Sequence, residues 1–211
     1  LGALTTASTD NITVTVNDDD ATAVTATDLS TLGGKTAGTV TVTHAVAITG
    51  SKTELTAALV TAGSKVVVSD AVVTVNDANS TAITAKELSD IGAATTGTVT
   101  VTNAVAISGT ESEVTAALVT SGSKVVAAKA TATISGNPAI TKLNAIAAKT
   151  NGVVTATLAA DTLANLGALA TDSTDDITVT VNDNAGTAVT AANLSALGNK
   201  TVGKVTVSKA V

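Results

Sequence analysis

Apolar and polar residues alternate with period two through short stretches of this chain, and each stretch runs into one with helical spacing. The clearest case is Thr98–Val119, TVTVTNAVAISGTESEVTAALV. An extended TVTVT puts valine on one face and threonine on the other. Asn103 then turns the chain, a second short strand ends near Ile107, and a helix begins at Thr110. The rest of the chain varies this unit. An apolar residue that closes a short strand ahead of a helix recurs at Val24, Ile48, Ile83, Ile107, Ile134, Leu158 and Val189. Each interval reads as one coil, so about seven coils are expected.

Helix starts carry a specific signature. Thr25-x-x-Asp28, Ser51-x-x-Glu54, Thr84-x-x-Glu87 and Thr110-x-x-Glu113 are capping boxes, in which hydroxyl and carboxylate satisfy free amides of the first turn. Apolar pairs follow at Leu29/Leu32, Leu55/Leu59, Leu88/Ile91, Val114/Leu118 and Leu194/Leu197. Gly33, Gly63, Gly92, Gly122, Gly167 and Gly198 stand where helix stops belong. Asn137-Pro138 reads as an N-cap followed by the first helical position. Helices this short depend on packing for stability. Val66–Val68 and Val125–Val126 break the alternation and read as strands buried on both sides.

Two repeat lengths are superposed. TGTVTVTNAVAISG at Thr96–Gly109 answers AGTVTVTHAVAITG at Ala37–Gly50, and TAALVTSGSKVV at Thr115–Val126 answers TAALVTAGSKVV at Thr56–Val67. LGALTTASTDNITVTVND from Leu1 returns as LGALATDSTDDITVTVND from Leu166, a superrepeat of 165 residues. The expected organisation is one continuous segment over 1–211. It has a first double coil over 12–70, a second over 71–129, divergent shortened coils over 130–176, and the start of the next superrepeat over 177–211. Such a pattern is expected of a segment from a longer array. VTVNDDDATAVT, VTVNDANSTAIT and VTVNDNAGTAVT are expected to form a small hairpin or protruding loop at an Asn-Asp turn.

Composition sharpens this picture. The chain has no aromatic residue, Met or Cys, so its core must be thin and aliphatic, which suits stacked coils better than a compact domain. Hydrophobic residues make up 45% and charged ones 13%, which argues against disorder. The expected class is a β-rich repeat protein, a right-handed β/α solenoid whose coils each carry short parallel strands and a short capped helix. A net charge of −6 without a basic cluster excludes nucleic acid as a partner, and no apolar run is long enough to span a membrane.

Candidate chemistry is sparse. Asp18, Asp19 and Asp20, with Asp10 nearby, form the densest acidic patch, and Asp172, Asp175, Asp176 and Asp183 are its counterpart one superrepeat on. Clustered carboxylates suit calcium, the one cofactor to weigh, but a solvated Asx turn explains them better. His44 is the only histidine, and its repeat equivalents are Asn103 and Ser208, so it reads as an exposed strand-end residue. Glu111 and Glu113 could suggest acid–base work, yet Glu113 belongs to a capping box and Glu111 reads as its solvated neighbour. With no Cys and one His, no triad or zinc site can be assembled, and an enzyme is not expected. Thr-x-Thr rows resemble the ice-binding face of some β-solenoid antifreeze proteins, so a binding module for ice or a glycan is the alternative function.

The TVTVTxAVAIxG, capping-box and TAALV pattern resembles the Thr/Ala/Val-rich tandem repeats of giant bacterial surface and secreted proteins, including cyanobacterial ones. That resemblance implies an extracellular or cell-surface structural role in a filament, sheath, surface layer or adhesin stalk. It implies self-association with identical chains or neighbouring repeats, and contact with a glycan or surface. It transfers no functional residues.

Overall fold

The structure, a computed structural model, describes residues 4–209. In chain order it begins with β1 (Val14–Val16), β2 (Ala23–Thr25) and α1 (Ala26–Gly33), then β3 (Val40–Val42), β4 (Ala47–Gly50) and α2 (Lys52–Leu55). Three strands follow, β5 (Val66–Val68), β6 (Val72–Val75) and β7 (Ala82–Thr84), before α3 (Ala85–Ala93). Next come β8 (Val99–Val101), β9 (Ala106–Thr110) and α4 (Glu111–Val114), then β10 (Val125–Val126), β11 (Thr131–Ser135) and α5 (Ile140–Ala147). The chain continues through β12 (Val154–Thr157), α6 (Leu163–Leu166), β13 (Asp176–Val181), α7 (Ala191–Gly198) and β14 (Val205–Val207).

Every named strand pairing is parallel, in three sheets ordered β1-β3-β5, β10-β8-β6-β4-β2 and β14-β13-β12-β11-β9-β7, with no closed barrel. Seven α-helices connect them among the described residues. The architecture is an α/β fold. Its core is built by register, because each short strand lays one apolar residue on the equivalent residue of the next. Val24, Ile48, Val73, Val99 and Val125 form one such row, and Ile83, Ile107, Ala132 and Val154 another. Leu29, Leu55, Leu88, Ile91, Val114, Leu143 and Ile146 cover these rows from the helices, and the buried residues form one cluster along the chain. No single strand–helix unit could bury this surface alone.

The expected hairpins do not form. β6 lies in the five-stranded sheet and β7 in the six-stranded one, while β1 and β2 are split in the same way. The intervening residues make a turn closed by Thr22 N to Asp19 O (3.0 Å) and Thr81 N to Ala78 O (3.1 Å). Its left-handed position falls at Ala21, Ser80 and Gly186. The turn donates sideways, from Ala21 N to Ala45 O (2.9 Å) and from Ser80 N to Ala104 O (2.8 Å), which ties it to the next strand–helix unit and keeps its flanking strands apart. The extra segment therefore starts a new row of strands. β6 consequently pairs with β4 on one side and β8 on the other.

Three capping boxes close fully, at Ser51/Glu54, Thr84/Glu87 and Thr110/Glu113. At Thr25 the hydroxyl accepts from Asp28 N, but the shorter Asp28 side chain bonds that hydroxyl rather than the Thr25 amide. α2 and α4 continue into single π-helical turns at Thr56–Val60 and Thr115–Val119, closed by Thr61 N to Thr56 O (2.9 Å) and Thr120 N to Thr115 O (3.0 Å). Short 3₁₀ turns follow at Ala62–Ser64 and Ser121–Ser123.

Gly33 and Gly198 close α1 and α7, and Gly167 caps α6, as expected, though none of the six helix-stop glycines has a left-handed φ. Gly33 and Gly92 are there for close approach, since a Cβ would fall 1.8 Å from Ser64 O and 2.0 Å from Ser123 O. Two further expectations are corrected. α5 starts at Ile140 rather than after Asn137, because Glu111 Oε2 accepts from Ala139 N (2.6 Å) and sets the helix start from the neighbouring α4. Val67 and Val126 are 53% and 49% exposed, so β5 and β10 bury one face only. Both strands end their sheets.

Candidate functional site

The acidic turn is built by its backbone. Asp18, Asp19 and Asp20 are all exposed. Asp20 Oδ1 accepts from Ala45 N (3.1 Å) and lies 3.5 Å from His44 Nδ1, whereas Asp18 lines a groove beside Val16, Val24 and Leu29. Among the described residues, no three His, Asp or Glu side chains are grouped to hold a metal ion. The counterparts of Asp18 use their carboxylates on backbone. Asp77 Oδ2 accepts from Lys52 N (2.6 Å) and Asp183 Oδ2 from Leu163 N (2.9 Å), in each case the first helical amide of an earlier helix.

His44 falls into the same scheme. Its Nε2 is 3.2 Å from Asn17 Oδ1, Asn103 Nδ2 donates to Asp77 O (2.7 Å), and Ser208 Oγ donates to Asn182 Oδ1 (2.9 Å). The three repeat equivalents all bond the Asn-Asp corner of the preceding unit. Glu111, expected to be solvated, is half-buried and caps α5.

Sequence reasoning missed a row of buried hydroxyls behind the helices. Thr36, Ser64, Thr95, Ser123, Thr150 and Thr201 are buried, and each accepts from the amide two residues on. The threonines also reach across. Thr36 Oγ1 donates to Ile12 O (2.6 Å), Thr95 Oγ1 to Ala71 O (2.6 Å), Thr150 Oγ1 to Ala130 O, and Thr201 Oγ1 to Ile177 O (3.0 Å). Each such hydroxyl links a turn to the strand–helix unit before it. The glycine two residues later lets that carbonyl approach, since a Cβ on Gly97 would lie 2.3 Å from Ala71 O and one on Gly203 2.4 Å from Ile177 O. The recurring Thr-x-Gly ahead of β3, β8, β12 and β14 was the available signal.

Asp175 replaces a hydroxyl in this scheme. It is 3% exposed and accepts from Val154 N (2.7 Å) and Asp172 N (3.0 Å). Burial pushes its carboxyl above the usual range against those two amides, with the Asp172 charge adding to the rise. Glu54 and Glu113 are held below it, first by the Ser51 and Thr110 amides. Burial raises Glu87, but the Thr84 amide and Lys52, whose ammonium is 3.0 Å away, together outweigh it.

The signs therefore oppose. The three lowered glutamates stabilise the fold above their unfolded values, and that contribution is lost as pH falls through their folded ones. Asp175 binds its proton more tightly folded than unfolded, so it adds stability as pH falls through its raised value. Urea unfolding across the acid limb is expected to show stability falling below about pH 4. The fall is expected to be steeper in Asp175→Asn, which lacks the opposing contribution. An Asp175→Asn limb no steeper than that of the parent chain would refute the assignment.

The outward rows of the sheets make an extended hydroxyl surface. Thr25, Thr49, Thr74, Thr100 and Val126 are in register across the five-stranded sheet, and Thr15, Thr41 and Val67 across the three-stranded one. Valine ends each row. No described helix is long and apolar enough to cross a membrane. Comparison with protein-family models, curated proteins and solved structures gives no match to this chain.

Proposed function

We propose that the chain is a structural repeat segment, a right-handed β/α solenoid of about seven coils that acts as a rigid spacer and self-assembling scaffold. Its setting is an extracellular filament, sheath, surface layer or adhesin stalk, and it is not an enzyme. The supporting observation is the coil-to-coil linkage, in which one apolar cluster and a buried hydroxyl or carboxylate at successive turns join each unit to the one before. Such a stack resists bending because every unit's core is completed by its neighbours. Electron microscopy of tandem two- and four-copy chains tests this. Each added superrepeat, about six coils at 4.8 Å each, should lengthen a straight particle by roughly 30 Å. Beads that hinge freely between copies would refute it.

The in-register row Thr25, Thr49, Thr74 and Thr100 favours a second reading, a binding face for ice or a glycan. Thermal hysteresis, or retention on a polysaccharide matrix that a Thr74→Lys variant loses, would select it over the first.

A further inference from the structure

We infer that the open face of the first coil, carrying Asp10 and Asp18, is an interaction surface for a second copy of the same repeat, which docks through the strand and helix of its segment 154–166. The inference rests on the stacked-coil reading above and names the contact that continues the stack.

The chain contains its own picture of this junction. Residues 1–46 recur as 166–211, so Asp10 corresponds to Asp175, Asp18 to Asp183, Val24 to Val189 and Leu32 to Leu197. At the second occurrence the face is covered. β12 pairs in parallel with β13, Thr155 opposite Asp176 and Thr157 opposite Thr178. Asp161 N donates to Thr180 O (3.1 Å), and Asn182 N donates to Asp161 O (2.8 Å). Val154 N meets Asp175 Oδ1 and Leu163 N meets Asp183 Oδ2, leaving the two carboxylates 3% and 6% exposed.

At the first occurrence the same groups face outward. Asp10 and Asp18 are exposed. β1 turns Val14 N and Val16 O toward β3 through Thr39 O and Thr43 N, so alternation aims the Thr13 and Thr15 carbonyls and the Asn17 amide at the open edge. These are the equivalents of Thr178, Thr180 and Asn182. A groove of about 440 Å³ lies behind them, lined by Val16, Asp18, Val24, Leu29 and Leu32. At the later occurrence the corresponding groove, lined by Asp183, Val189 and Leu197, has Leu163, Ala164 and Gly167 as further walls. α6 thus walls the later groove through Leu163 and Ala164.

Asp77 supplies an independent instance. In the second Val-Thr-Val-Asn-Asp sequence its carboxylate takes the first helical amide of α2. Both VTVND aspartates that have a coil ahead of them cap that coil's helix. Asp18 is the same acceptor, with a carboxylate suited to the partial positive charge of a helix start.

The test is amide exchange in the full chain and in a chain with a copy of residues 127–165 placed ahead of Leu1, which recreates the 165/166 junction. Asp183→Ala is expected to speed exchange at Leu163 roughly tenfold in both chains. Asp18→Ala is expected to change nothing in the chain itself. In the extended chain it should speed exchange of the added leucine amide by a similar factor while leaving Leu163 unchanged. The proposal is overturned if the added leucine amide exchanges at the unfolded rate, if Asp18→Ala leaves it unaltered, or if Asp183→Ala leaves Leu163 unaltered. Any of these leaves the coil stacking within the chain, and with it the spacer reading, standing.

Discussion

Alanine at Gly92 is expected to destabilise the chain by about 2–3 kcal/mol, although alanine is the better helix former. Gly92 lies in the last turn of α3, and its φ is not left-handed, so backbone conformation does not demand glycine there. Helix propensity alone would make the change stabilising by about 1 kcal/mol. The opposing effect is contact, because the new methyl would sit 2.0 Å from the carbonyl oxygen of Ser123. Ser123 is itself buried and its hydroxyl accepts from Val125 N at the start of β10, so it has no room to retreat. Gly198 holds the equivalent place in α7, and a Cβ there meets nothing within 4 Å. Gly198→Ala is therefore expected to stabilise slightly. Urea unfolding of the two variants checks the claim by sign, and a stabilising Gly92→Ala would show that α3 and the Ser123 turn do not touch.

Leu88→Ala is expected to cost more, about 2–5 kcal/mol. Leu88 is fully buried on α3, the helix packed among β7, β9, β10 and the π-helical turns at Thr56–Val60 and Thr115–Val119. Removing its side chain leaves a void bounded by more than one coil, and a void shared by rigid neighbours collapses poorly. Leu194, its counterpart on α7, is only half-buried. Leu194→Ala should cost well under half as much in the same urea series, and equal losses at both positions would contradict the account.

The local grammar of the fold was legible in the residues. Alternating Val and Thr placed the buried and outward rows, and Ser51/Glu54, Thr84/Glu87 and Thr110/Glu113 marked helix starts that close as expected. Contacts between coils were harder to read. Gly33 and Gly92 look like ordinary helix stops until Ser64 and Ser123 are brought against them from about 31 residues away. Thr95 looks like one threonine among many, yet its burial and its bond to Ala71 arise only from stacking. The same holds for Asp183, which reads as a turn aspartate and closes the start of α6. The split of β6 and β7 between two sheets was hidden for a related reason. Local turn chemistry specifies a reversal, and the bond from Ser80 N to Ala104 O decides which strands it joins.

The central proposal is that the strand–helix units form one stiff stack whose axis runs across the strands. The most direct test is the distance between paired spin labels at Ala82 in β7 and Thr206 in β14, the two edge strands of the six-stranded sheet. Five strand-to-strand steps of about 4.8 Å, with a register that sets Thr206 about six residues, or roughly 20 Å, further along the strands than Ala82, predict a single narrow distribution centred near 31 Å, before allowance for the label arms. A broad distribution would contradict it, as would a distance far shorter than the strand count requires.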